Sequence, residues 1–178
     1  MSLLIAGIAL WWAGHLYKRL LPDLHARLGK GASAVIILAG LALIVIGFRG
    51  MDHVPVYTPP SWGVHLNNLL MLIAVILVGA GNSKSSLRRV LRHPMLTGVV
   101  VWAVAHLVAN GDLAGVILFG SMAVWALVEM AVINAREPGY EPWQGGSIFG
   151  SVKLLAISAV VYLAIGGIHY WLGRWPFG

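Results

Sequence analysis

An all-α fold, a polytopic helical bundle in a membrane, is the class this sequence predicts, and three observations predict it. Of 178 residues, 59% are hydrophobic and only 10% are charged, against about 25% charged in an average soluble domain. The mean hydropathy is +0.84. The apolar residues gather into six runs, at about 3–21, 32–48, 63–80, 94–109, 113–133 and 149–172, each near the roughly 20 residues that cross a hydrocarbon core. The connections are short, so neighbouring helices should be antiparallel in one compact bundle, a single domain over residues 1–178 with no room for a soluble catalytic domain.

In chain order, the first run has no Lys or Arg ahead of it and is followed by Lys18, Arg19, Arg27 and Lys30. A cleaved signal peptide would begin with basic residues, so this run reads as a retained helix. After the second run, Val54-Pro55-Val56-Tyr57-Thr58-Pro59-Pro60 cannot be helical and forms a loop. Lys84, Arg88, Arg89 and Arg92 load the third connection. Pro94 suits the first turn of the fourth helix, where its missing N–H is no loss. Asn110-Gly111-Asp112 turns the chain, and Asp112 can cap the fifth helix. Glu137-Pro138-Gly139-Tyr140-Glu141-Pro142-Trp143 forms a second loop, nearly neutral with Arg136. The positive-inside rule places both termini outside and connections one, three and five in the cytoplasm. Trp62, Trp143, Trp171 and Trp175 read as an aromatic belt. No repeat is visible by identity, although six helices allow a division into two inverted halves of three.

Twelve Lys and Arg against six Asp and Glu give a charge of +6. These charges lie in short clusters between apolar runs, as topology signals do, and no nucleic-acid partner is expected. With no cysteine, disulfides, iron–sulfur clusters and thiolate nucleophiles are excluded, and imidazole is the main metal-ligating chemistry left. No His-Glu-xx-His run, phosphate-cradling loop or Gly-x-Ser-x-Gly elbow occurs. Glu129 is the one obvious carboxylate within a run, and pairing with a basic loop residue is its expected role.

An ionisable side chain in a bilayer is costly, so depth sorts the histidines. His25 and His53 fall in connections and His169 near the last helix end, where solvated or interfacial roles suffice. His15, His65 and His106 lie within runs, and His93 stands at the mouth of the fourth helix. Gly7, Trp11 and His15 share one helix face, and so do Gly98, Trp102, His106 and Asn110, because each set recurs every four residues. A small residue, a flat tryptophan wall and an imidazole would accept an iron porphyrin. The same stripe serves equally for close helix packing with a histidine bonded to a carbonyl. His93 and His106, 13 residues apart, stand roughly 20 Å apart along a straight helix and cannot share one metal. Depth alone pairs His15 with His93 and His65 with His106.

The run Arg92-His93-Pro94-Met95-Leu96-Thr97-Gly98, followed by Trp102-Ala103-Val104-Ala105-His106-Leu107-Val108-Ala109-Asn110-Gly111-Asp112-Leu113, resembles the NnrU family of bacterial inner-membrane proteins. Gly14-His15-Leu16, Val56-Tyr57-Thr58-Pro59-Pro60, His65 and Leu118-Phe119-Gly120-Ser121 extend the resemblance over nearly the whole chain. It implies a place in denitrification, supporting expression or activity of nitrite and nitric oxide reductases, whose components are then possible partners. The family is similar to the plastid 15-cis-zeta-carotene isomerase, a haem b protein. Carried over by motif, that enzyme's axial ligands fall on His15 and His106, the pairing that depth favours least. His65, His93, Arg92, Trp102 and Asn110 would orient ligands or contact propionates. The isomerase's charged segment after the fifth helix is missing here, which separates this chain from the carotenoid substrate.

Arg-His-Pro with a Gly four residues on also resembles membrane methyltransferases that use S-adenosylmethionine. Those enzymes carry an acidic and aromatic cofactor motif beyond the next helix, and 133–140 reads Ile-Asn-Ala-Arg-Glu-Pro-Gly-Tyr without it. Three functional classes follow: a haem sensor, relay or chaperone in nitrogen-oxide metabolism; a haem enzyme acting on an apolar polyene in the bilayer; and a haem-free assembly partner of the reductases.

Overall fold

The computed structural model describes residues 1–177. Six α-helices account for most of them: α1 Ser2–Leu20, α2 Pro22–Arg49, α3 Gly63–Ala80, α4 Pro94–Ala109, α5 Leu113–Arg136 and α6 Ile148–Trp171, with a 3-10 turn at Ser86–Arg89. Every expected run is a helix, and the expected punctuation sits at its ends. Pro94 opens α4. Asp112 Oδ1 accepts from Gly115 N at 2.9 Å, and Ser147 Oγ accepts from Gly150 N at 2.9 Å, each satisfying a first-turn N–H that has no helical partner.

Two boundaries differ from expectation for local reasons. The first connection is not a loop, because Pro22 starts a short helical piece that runs to a break at Gly29, where φ is 73°. Only glycine takes that conformation at little cost, so the helix restarts there in a new direction. The fifth helix runs on to Arg136, since Asn134, Ala135 and Arg136 are polar or small yet compatible with a helix.

Of the six, α2, α3, α5 and α6 are long and apolar enough to cross a membrane, and α4 is a shorter apolar helix. The sixteen residues of α4 rise about 24 Å, less than the roughly 30 Å of a bilayer core. In α1 the second half carries His15, Tyr17, Lys18 and Arg19, which lowers its hydropathy. Val35, Leu38, Val160 and Leu163 are 67%, 64%, 68% and 64% exposed, an outward apolar surface that suits lipid rather than water.

The helices group into two compact units. The first comprises Met1–Tyr57 and Gly111–Pro138, hence α1, α2 and α5. In it α1 and α2 are antiparallel and meet through glycines. A Cβ on Gly7 would stand 2.6 Å from Ile44 N and 2.8 Å from Gly40 O, and one on Gly47 would overlap the Leu4 backbone. Small residues permit that backbone approach. α5 runs parallel to α1, since Trp11 meets Trp125 and Arg19 meets Glu129. The 54–60 segment, non-helical as expected, pairs with the Gly111 turn through Val56 N to Gly111 O at 2.7 Å and Leu113 N to Val54 O at 2.8 Å. There burial, then the nearby Asp112 carboxylate, raises the Tyr57 phenol above its ordinary value.

The second unit comprises Thr58–Asn110 and the segment from Gly139 onward, hence α3, α4, α6 and the 3-10 turn. α3 and α4 are antiparallel: a Cβ on Gly98 would lie 2.9 Å from Ala74 O, and one on Gly63 would lie 2.7 Å from Val108 O. α6 packs antiparallel to α3, with Leu154 against Gly79 and Gly150 against Lys84. The helices therefore do divide by threes, but the threes interleave along the chain rather than following one another.

Candidate functional site

In the first unit, α1 places His15 one turn beyond Trp11. His15 Nδ1 lies 2.8 Å from the Trp11 carbonyl oxygen. A carbonyl only accepts, so Nδ1 carries the proton and Nε2 holds the lone pair. The imidazole centre is 4.5 Å from the Trp11 ring and 4.8 Å from Trp125, which meets Trp11 edge-on at 5.6 Å. His15 thus sits in a corner of two indoles, one from each of two parallel helices. The buried indole N–H groups of Trp11, Trp12 and Trp125 have no hydrogen-bond partner. One turn further, Arg19 Nη1 donates to Glu129 Oε1 at 2.6 Å, while Glu129 Oε2 has no partner. The basic partner expected for Glu129 is thus a residue of the last turn of α1, not of a loop.

In the second unit, α4 repeats the local pattern. His106 Nδ1 lies 2.9 Å from the Trp102 carbonyl oxygen, and the two rings are 5.3 Å apart. The proton again belongs on Nδ1. Asn110 closes the end of the helix, its backbone N–H and its Nδ2 both donating to the His106 carbonyl at 2.8 Å. His65, exposed near the start of α3, lies at the same end of this unit, because Gly63 meets Val108. His169 on α6 has Nδ1 2.9 Å from the Ile165 carbonyl and lies close enough to His106 for the two imidazoles to interact electrostatically. Sequence reasoning set His169 aside as interfacial, and no local signal could have brought it toward α4. Among the described residues no three His, Asp or Glu side chains gather as a metal ion would require.

The glycines of both stripes serve close helix packing, one of the two uses the sequence left open. Gly7 receives the backbone of α2, and Gly98 receives Ala74 and Val78 of α3. The space left by their missing side chains is filled by neighbouring helices rather than kept for a planar group.

Arg92 and His93 are 14 and 13 residues before His106, about 20 Å along the α4 axis. They line a separate cleft of about 390 Å³ in the second unit, with Arg88, Tyr140, Glu141 and Trp143. The Arg88 guanidinium lies 4.9 Å from the Trp143 ring centre and that of Arg92 4.6 Å from Tyr140. Arg89 Nε donates to Gly145 O at 2.5 Å, tying the 137–147 loop to the 3-10 turn. Tyr140, Glu141 and Trp143 thus bring one carboxyl group and two aromatic rings to the Arg-His-Pro run. His93 also serves α4 directly, its carbonyl accepting from Thr97 N and Thr97 Oγ1 at 2.9 Å each. Of the remaining histidines, His25 Nδ1 is 3.1 Å from the Tyr17 hydroxyl and His53 is exposed in a loop.

No curated protein and no solved structure matches the chain. Residues 3–176 match the family described as NnrU protein. That match spans both units, every helix and each histidine discussed above, and the chain therefore belongs to the NnrU family.

Proposed function

We propose that this chain is a six-span protein of the bacterial inner membrane that binds haem b through His15 and His106 and serves nitrogen-oxide metabolism alongside the nitrite and nitric oxide reductases. Both termini lie on the periplasmic side in this reading. One observation carries it: two helices each set an imidazole beside a tryptophan four residues back and fix Nδ1 on that tryptophan's carbonyl. Fixing Nδ1 selects the tautomer whose Nε2 can ligate iron and holds the ring's orientation. The donor set therefore fits haem, which when bound supplies one-electron and gas-binding chemistry. What the protein contributes is the imidazole pair, the indole walls and a low-dielectric surrounding.

The test is the absorption spectrum of the purified protein from haem-replete cells, oxidised and reduced. Six-coordinate haem b gives a strong Soret band with sharp reduced α and β bands. His15→Ala and His106→Ala should each abolish that spectrum. His169→Ala should keep it, because His169 has the same Nδ1 contact without a tryptophan wall. Equal loss in all three variants, or loss in none, rules out the ligand assignment. The packing of Gly7 and Gly98 favours one other reading, a haem-free assembly partner with structural histidines. Its signature is a folded, colourless protein that haem does not restore.

A further inference from the structure

The cleft at the start of α4 is independent of the haem reading. Its polar half is built by two arginines whose guanidiniums lie on aromatic rings, Arg88 on Trp143 and Arg92 on Tyr140. A guanidinium held over a ring face can still grip an oxyanion with its N–H groups. One carboxylate, Glu141, also lines the cleft, which leaves two positive groups against one negative. No side chain caps α4, so its first-turn N–H groups add a favourable field for an anion.

The other half is apolar. Leu91, Pro94, Met95 and Leu96 line the same cleft. A second hollow of about 350 Å³, lined by Ile76, Leu87, Val90, Leu154 and Leu155 together with three serines, flanks the same 3-10 turn. Val90 is 77% exposed. A soluble anion would use the arginines and leave this apolar lining wet. An amphiphile with a phosphate at one end and hydrocarbon at the other uses both.

We propose that this cleft is a binding site for the phosphate headgroup of an anionic phospholipid, with Arg88 and Arg92 on the phosphate and the cleft's own Leu91, Pro94, Met95 and Leu96 taking part of an acyl chain. Basic pockets among membrane helices hold anionic headgroups by this chemistry, with each basic residue contributing about a fivefold gain in affinity. Tyr140 and Trp143 act as positioning residues that keep both guanidiniums in place.

The experiment is native mass spectrometry of the full chain released from detergent after exposure to phosphatidylglycerol or phosphatidylcholine with the same acyl chains. Wild type should retain one phosphatidylglycerol in preference to phosphatidylcholine. Arg88→Gln with Arg92→Gln should weaken that retention roughly thirtyfold, while Arg27→Gln with Lys30→Gln, outside the cleft, should not change it. Should the arginine pair variant fail to fold, Tyr140→Leu, which keeps every charge, carries the test through a several-fold loss. Equal retention of the two lipids, or equal retention in the arginine and control variants, overturns the proposal. Displacement of the lipid by millimolar inorganic phosphate, or binding of S-adenosylmethionine in its place, overturns it as well, by making the cleft a site for a soluble ligand.

Discussion

Glu129 is 3% exposed, and only one of its two oxygens is matched, by Arg19 at 2.6 Å. Removing one member of a buried pair strands the other charge, so Arg19→Met should destabilise the protein by about 3 kcal/mol or more. Thermal unfolding in detergent reads this. Arg19→Met combined with Glu129→Leu should recover most of the loss, and a double variant as unstable as the single would mean the charges are not coupled. Arg92→Ala should leave any haem spectrum unchanged, because about 20 Å of helix separates Arg92 from His106; a weakened Soret band would support the propionate role that the family resemblance implies. At this scale the four-residue stripes of α1 and α4 were legible, because their partners lie on the same helix. Trp125, the second wall of the His15 corner, was not, because nothing near residue 125 in the chain records which helix it faces.

Glycines show how the helices are joined. Gly47 meets the Leu4 backbone, and backbone cannot move aside as a side-chain tip can. Gly47→Ala should therefore push α1 from α2 and cost about 1–3 kcal/mol. Gly120, within α5, has nothing within 4 Å of its would-be Cβ. Gly120→Ala should be neutral or stabilising by up to about 1 kcal/mol, and unfolding measurements in which both variants shift alike would remove the distinction between packed and open glycines. Gly29→Ala, at φ 73°, should cost about 1 kcal/mol or more through backbone strain. Helix positions followed from apolar runs, Pro94 and Asp112, all local signals. The break at Gly29 was missed because charged residues on both sides resemble an ordinary loop. The seams of Gly7 and Gly98 were left undecided because a glycine looks the same whether a helix or a ligand fills its gap.

For the whole molecule, charge sets orientation. The absence of native cysteine makes single introduced cysteines clean reporters. A membrane-impermeant maleimide should label Asp52→Cys in intact spheroplasts and spare Arg27→Cys until the membrane is opened. The reverse pattern inverts the topology and moves the 390 Å³ cleft to the other leaflet. Family and class were legible at this scale, since composition and one motif run are spread over the chain. The grouping of helices was not, because each unit is assembled from segments far apart in sequence.

That interleaving has a bearing on biogenesis. A chain emerging from the ribosome in order delivers α1 and α2, then the α3–α4 hairpin, before α5 exists. Arg19 must wait through 110 residues of synthesis for Glu129, exposed to lipid or held by the insertion machinery. A nascent chain stalled before residue 113 should remain bound to translocation components, and one extended past residue 136 should be released into the bilayer. Completion of the first unit by α5 should thus also be the step that releases the protein into its membrane.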